Sequence, residues 1–260
     1  MKLKRAILVP FSLLTVLPVL RTEKVSLHEL RESCRFFPLV GLFLGGVSSA
    51  GLYFASTIFS KEVCALVYLS LLIILTGGFH LDGLSDTFDG FSIKSSGDKK
   101  LDIERRLKVM SSGTQGPCGS LSVILVILYK LFLVRDILSF EEHLKIFVLL
   151  PVFSRTCLVY SIYSGRKAKT EGLGSLLVGE IGLRDFILSI ILNFFISILV
   201  VFHLKMSLLL GAVFLILLAF TRFIQKIFER RFGGLTGDTL GAINEITEVL
   251  FLLLVSVILR

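Results

Sequence analysis

The chain has 260 residues, of which 54% are apolar even with glycine left out and only 18% are charged. With glycine counted in and tyrosine out, the apolar share is about 60%, against about 45–50% in soluble domains, and mean hydropathy is +0.85. So little polar surface cannot clothe a water-soluble core, which excludes a soluble globular domain and leaves an all-α, polytopic integral membrane helical bundle that channels, transports or catalyses. The 28 Lys and Arg against 20 Asp and Glu, a net charge of +8, would point to nucleic acid in a soluble protein. In a membrane protein, basic cytoplasmic loops account for the excess, and no nucleic-acid partner is expected.

Lys2, Lys4 and Arg5 precede the apolar run Ala6–Leu20, which has the look of a signal peptide. No small-residue cleavage site follows, and Pro10 and Pro18 interrupt the run, so it reads as a retained segment. About 20 apolar residues are needed to cross the hydrocarbon core, and seven stretches qualify in order: Phe36–Ser60, Val63–Phe79, Cys118–Val134, Leu144–Tyr163, Phe186–Phe202, Met206–Ile224 and Ile246–Leu259. The last is short for a span and calls for an earlier start. Residues 21–35, 80–117, 164–185 and 222–245 hold 18 Lys and Arg, whereas the opposite loops hold only Lys61, Arg135, Lys145 and Lys205. The first set should therefore face the cytoplasm. A full span at the N-terminus would carry Lys2, Lys4 and Arg5 outside, so Ala6–Leu20 is expected to be re-entrant or interfacial. No internal repeat or soluble appendage is evident, and one membrane-embedded domain over residues 1–260 is the working expectation. Cys34, Cys64, Cys118 and Cys157 form no CxxC pair, so neither a zinc site nor a disulfide framework is indicated.

The segment from Gly77 to Gly90 carries the most chemistry. Asp82, Asp86 and Asp89 stand at i, i+4 and i+7, which on a helix puts all three on one face. Like charges so close repel unless a cation sits among them, and Mg²⁺, which takes carboxylate oxygens plus substrate phosphates, is the natural occupant. Carboxylates beside an apolar span are costly, which favours a functional site; a solvated turn capped by aspartates is the bland alternative. His80, just before the cluster, could act as a base, support a metal-binding carboxylate, or only anchor a helix end. Between Lys99 and Gly119 a mixed-charge amphipathic helix is expected, with Arg106 the candidate for a phosphate contact, and Gly113 to Pro117 reads as a turn into the next span.

A second motif runs from Phe232 to Glu248. Its glycines allow close backbone approach, and a helix starting near Thr236 would aim its N-terminus at an anion. Asp238, Glu245 and Glu248 again share one helical face, on the membrane side of Asp82, Asp86 and Asp89. Two acidic faces meeting there would hold one or two divalent ions, with Asp82, Asp86, Asp89, Asp238 and Glu245 as ligands. A glycine-mediated packing seam with a polar edge is the alternative. Thr236, Gly237 and Asn244 are candidate substrate contacts. Arg155, inside an apolar run, reads equally as a phosphate contact or a structural ion pair, and Glu171 to Ser175 as a loop that closes over substrate or merely connects helices.

These motifs resemble the cobalamin synthase family, the adenosylcobinamide-GDP ribazoletransferases. The resemblance runs from Phe11-Ser12-Leu13-Leu14-Thr15-Val16-Leu17-Pro18 and Phe37-Pro38-Leu39-Val40-Gly41-Leu42 through Gly78-Phe79-His80-Leu81-Asp82-Gly83-Leu84-Ser85-Asp86-Thr87-Phe88-Asp89-Gly90 to Gly233-Gly234-Leu235-Thr236-Gly237-Asp238-Thr239-Leu240-Gly241-Ala242. It departs after Met110, where the family usually has a stretch like Lys-Asp-Ser-Arg-Ile-Gly and this chain has Ser111-Ser112-Gly113-Thr114-Gln115-Gly116, without an acid and a base that would serve phosphate or metal binding. The resemblance implies a Mg²⁺-dependent phosphoryl transfer at the cytoplasmic face of the inner membrane. Adenosylcobinamide-GDP and α-ribazole, or its 5′-phosphate, would give adenosylcobalamin, or its 5′-phosphate, and GMP. Asp82 or His80 would take the attacking hydroxyl's proton, and a homo-oligomer or a complex with other enzymes of cobalamin synthesis stays open. Two rivals differ in class. A CDP-alcohol phosphotransferase-like lipid enzyme should carry Ala-Arg after its Asp-Gly, which Asp82-Gly83-Leu84-Ser85 lacks. A cation-coupled transporter should hold its ionisable groups near mid-membrane rather than at span ends.

Overall fold

Apolar runs that must satisfy their backbone groups without water fold as helices, and the computed structural model of the chain is built from them. It describes residues 2–19, 25–140, 143–168, 172–201 and 204–260. In chain order the helices are α1 (Lys2–Leu14), α2 (Leu27–Ser33), α3 (Phe37–Ser56), α4 (Lys61–Thr76), α5 (Phe79–Ser92), α6 (Lys99–Met110), α7 (Pro117–Ile137), α8 (His143–Ser164), α9 (Leu173–Leu177), α10 (Leu183–Val201), α11 (Leu204–Phe232) and α12 (Gly237–Leu259). A 3₁₀ turn at Cys34–Phe36 joins α2 to α3. The β pairing found among the described residues is a single isolated bridge between Lys167 and Leu235.

Among the described residues six segments are long and apolar enough to cross a membrane: Leu27–Ser56, Pro117–Ile137, Leu144–Ser164, Leu183–Val201, Leu208–Phe232 and Gly237–Leu259. The α4–α5 pair makes a seventh if its two halves count as one broken span. The expected bundle of about seven spans is thus present, with two differences in where elements lie. The second span stops at Thr76, because Gly77 and Gly78 both take left-handed φ, 67° and 70°, a conformation that ends a helix and that glycine adopts without strain. The chain then turns by 87° into α5. Residues 80–117, the stretch between two spans, hold α5 and α6, the helices expected over the aspartate cluster and the mixed-charge segment. The last span begins at Gly237, nine residues before Ile246, because Thr236 and Thr239 form a capping box. At the N-terminus α1 is 13 residues long, about 20 Å, too short for a full span. Leu20, Glu171 and Phe202, the ends of three expected segments, lie outside the described residues.

Glycine contacts set the helix packing, as they do where apolar lipid offers no hydrophobic force between helices. A Cβ on Gly41 of α3 would come within 2.5 Å of the Pro151 carbonyl oxygen of α8, and one on Gly45 would overlap that of Val148. Tyr68 of α4 donates its hydroxyl to the Phe147 carbonyl at 2.7 Å, so α3 and α4 both bear on the buried α8. Phe54, Ile58, Phe132, Leu215 and Val257 are exposed and face the lipid. The bend at Gly77–Gly78 lays α5 across the start of α12. There a Cβ on Gly83 would stand 2.8 Å from the Asp238 carbonyl oxygen, and one on Gly241 3.1 Å from that of His80. This crossing brings the two sequence motifs together.

Candidate active site

The crossing of α5 and α12 forms one wall of a cleft of about 270 Å³, lined by His80, Asp82, Gly237, Asp238, Leu240 and Gly241. The facing wall is apolar: Leu13 and Leu14 of α1, Phe37 of α3, Leu158 and Ile162 of α8, and Leu177 of α9. Asp82 is exposed, and Asp86 and Asp238 are half-buried. Gly174 of α9 approaches so closely that a Cβ there would lie 2.5 Å from the Gly237 nitrogen. Residues 172–175 are therefore packed on the start of α12. His80 is buried, its ring centroid 4.0 Å from that of Phe79, and its Nδ1 has no hydrogen-bond partner. The Thr236 hydroxyl accepts the Thr239 N–H at 3.2 Å and donates to Asp238 Oδ2 at 3.3 Å, fixing the first turn of α12 with a carboxylate at its positive end.

The other two predicted metal ligands are engaged elsewhere. Asp89 is buried and accepts the Gly116 and Gly119 N–H groups, each at 2.7 Å. It thus caps the N-terminus of α7, which has no cap from its own Gly116. Gln115 donates to Ser85 Oγ at 3.3 Å, so the altered 111–116 stretch is tied to α5 at two points. Glu245 points into the bundle and accepts from Lys130 Nζ at 2.6 Å.

Lys130 also meets Glu248 at 2.5 Å. Glu248 in turn pairs with Arg155 and accepts from Ser154 Oγ at 3.0 Å and Asn244 Nδ2 at 3.1 Å. Two cations and two carboxylates, all buried, make a neutral network that joins α7, α8 and α12. Beside it is a cavity of about 30 Å³, apolar on the side of Leu69, Leu72, Ile73, Leu81 and Ile127 and polar at Thr76, Lys130, Arg155, Glu245 and Glu248, with room for one or two waters. Of the two readings of Arg155, the structure gives the ion pair. Lys130 was missed in the sequence, though a lysine amid the apolar run of the third span is itself a signal that a partner waits inside the bundle.

Among the described residues no three His, Cys, Asp or Glu side chains converge as a metal cage. Mg²⁺ needs less, since it keeps several waters and is bound through one or two carboxylates plus substrate phosphates. Asp82 and Asp238, on the same wall of the cleft, fit that donor set, with Asp86 one turn further along α5. Asp89 and Glu245 do not, their oxygens being taken by N–H and ammonium donors.

Arg106 lies away from this cleft. It lines an open groove of about 730 Å³ with Phe91, Lys99, Asp102, Arg230 and Arg231. Its Nη1 donates to the Arg231 carbonyl at 3.1 Å and its Nη2 to that of Ile93 at 3.5 Å. Burial, with the Arg231 guanidinium next, holds its pKa below the ordinary value. Asp102 accepts from the Ser95 hydroxyl and, at 2.8 Å each, from the Ser96 N–H and hydroxyl. Those bonds hold its carboxyl down to about 2.

Fold and cleft together define a multi-pass helical membrane protein with an acidic, half-apolar cleft between the bent α4–α5 pair and the start of its last span. The chain belongs to the cobalamin-5-phosphate synthase family, which it matches over residues 6–256. It is 38% identical over 248 residues to the adenosylcobinamide-GDP ribazoletransferase of Thermodesulfovibrio yellowstonii, covering 95% of this chain and 94% of the relative. Proteins of the same name from Caldanaerobacter subterraneus subsp. tengcongensis and Thermoanaerobacter pseudethanolicus are 31% and 34% identical, over 98% and 95% of both chains. No solved structure matches the chain.

Proposed function

We propose that this protein joins adenosylcobinamide-GDP to α-ribazole, or to its 5′-phosphate, giving adenosylcobalamin or its 5′-phosphate and releasing GMP. This would be the last step of cobalamin nucleotide-loop assembly, carried out at the cytoplasmic face of the inner membrane. The observation that carries this reading is the match to relatives of that name over nearly the whole chain. The orientation rests on the 18 basic residues in one set of loops.

The ribazole 3′-hydroxyl attacks the phosphorus joined to cobinamide, the bond to the GMP oxygen breaks, and GMP leaves. Such a transfer asks the protein mainly for positioning and for neutralisation of charge. Gly237, in the first turn of α12, turns its backbone N–H and the positive helix end toward the diphosphate, while the Thr236 N–H is held by Thr239 Oγ1 at 2.7 Å. His80, whose side chain lines the cleft and whose buried Nδ1 has no hydrogen-bond partner, receives the proton of the attacking hydroxyl. Leu14, Phe37, Leu158 and Ile162 keep water from the reacting atoms. A bound Mg²⁺, held by Asp82 and Asp238 with Asp86 nearby, would offset diphosphate charge as the leaving group departs. Glu245, Asn244 and Arg155 act from the buried network, setting the position of α12.

The test is incubation of membrane-embedded protein with adenosylcobinamide-GDP and α-ribazole 5′-phosphate, with and without Mg²⁺, and chromatography of the products. Equal amounts of GMP and cobalamin phosphate that require Mg²⁺ are expected. No product from folded protein, with turnover of a CDP-alcohol instead, would overturn the assignment.

A further inference from the structure

The 730 Å³ groove between α5, α6 and α11 is separate from the carboxylate cleft and shares no lining residue with it. Four cations surround it, Lys99, Arg106, Arg230 and Arg231, against a single carboxylate, Asp102. That carboxylate is already occupied by Ser95 and Ser96, and its contact with Arg106 Nη2 is a long 3.6 Å. Arg106 is only 5% exposed, yet its Nε has no hydrogen-bond partner, and the same holds for Arg231 Nε. Both Nε atoms are closed off from solvent, so what the groove offers an incoming acceptor is the remaining Nη hydrogens of the two guanidinium groups and the exposed Lys99 and Arg230 at its rim. The Arg231 guanidinium is held in place over the Phe91 ring, 5.1 Å from its centroid, and by the Phe91 and Ile93 carbonyls at 3.0 and 3.2 Å. The groove is thus built before a ligand arrives. Charges that only set membrane orientation need to lie in the right loops; they need not gather round one groove.

We propose that this groove binds a phosphate-bearing ligand, through Lys99 and Arg230 at its rim and the fixed guanidinium groups of Arg106 and Arg231 inside. Guanidinium groups suit such an anion because their planar N–H forks match phosphate oxygens. Phe91 and Ile227 give the groove an apolar side, which suits a phosphate carried either by an anionic lipid or by a nucleotide. The site does not depend on the reaction proposed above, and its test reads binding without turnover.

The experiment compares wild type, Lys99→Gln/Arg230→Gln and the charge-keeping Lys99→Arg/Arg230→Lys in detergent. Phosphatidylglycerol binding is followed by native mass spectrometry and GMP binding by calorimetry. Lys99 and Arg230 are exposed, so both variants should melt with the wild type. The neutral variant should bind at least one probe about tenfold more weakly, and the charge-keeping variant should restore it. A loss confined to phosphatidylglycerol identifies a lipid headgroup, and a loss confined to GMP identifies a soluble phosphate. Unchanged affinity for both probes, or a loss that the charge-keeping variant fails to restore, overturns the proposal.

Discussion

Lys130→Met tests the claim that the acidic face of α12 is held by internal ion pairs. Lys130 bridges Glu245 at 2.6 Å and Glu248 at 2.5 Å. Glu248 keeps Arg155, Ser154 and Asn244 when the lysine is lost, whereas Glu245 is left buried without its cation. Breaking a buried pair in this way costs about 3–5 kcal/mol. At about 2–4 °C per kcal/mol for a chain of this size, the melting temperature should fall by about 6–20 °C. Cys34, Cys64 and Cys157 are free and buried while Cys118 is exposed, so the rise of a thiol-reactive dye's signal above the Cys118 baseline reports unfolding in detergent. Lys130→Met/Glu245→Gln removes both charges and should recover more than half of the loss, since a neutral replacement leaves no orphaned ion. The reasoning is refuted if Lys130→Met melts with the wild type, or if the double variant is no more stable than the single one.

Gly83→Ala places a methyl group 2.8 Å from the Asp238 carbonyl oxygen. The two helices must then part by about 0.6 Å to reach ordinary contact, at about 1–3 kcal/mol; GMP release should fall about tenfold or more, and a wild-type rate would show that the crossing does not position the site. Asp89→Asn offers one oxygen where two N–H groups now find one each, so stability should fall by about 1.5–3 kcal/mol with the Mg²⁺ requirement unchanged, whereas a raised Mg²⁺ requirement would return Asp89 to the metal site. Asp102 has its folded pKa at about 2, below its ordinary value of 3.8, so its contribution to stability is complete above pH 3.8 and is lost as pH falls toward 2. Hydrogen exchange of the Ser96 amide should lose protection over that window, and Asp102→Asn should abolish the pH dependence; the same profile in the variant would assign it to another group.

Local chemistry made much of this legible. The apolar runs marked the spans, and the i, i+4, i+7 spacing gave α5 and its acidic face before any coordinates. The turn at Gly77–Gly78 was written in two adjacent glycines, yet the apolar pattern runs on to Phe79, so the span read as continuous. The partners of the acidic residues were hidden because they come from far along the chain. Asp89 meets Gly116 and Gly119, and Glu245 meets Lys130, 115 residues away. Periodicity says which residues share a face and is silent on what that face meets. Arg155 carried its signal as an intramembrane charge, but the choice between phosphate and ion pair needed Glu248 in place. The groove around Arg106 joins residues from α5, α6 and α11, and only the folded chain assembles it.

GMP release from adenosylcobinamide-GDP, measured in the presence of α-ribazole 5′-phosphate and saturating Mg²⁺ for wild type and Asp82→Asn, tests the central claim most directly. Asp82 is exposed on the cleft wall, so the variant should melt with the wild type. The account predicts Mg²⁺-dependent release by the wild type and a loss of at least about a hundredfold in the variant. Equal release by both would contradict the assignment of this cleft as the place where the phosphate is transferred.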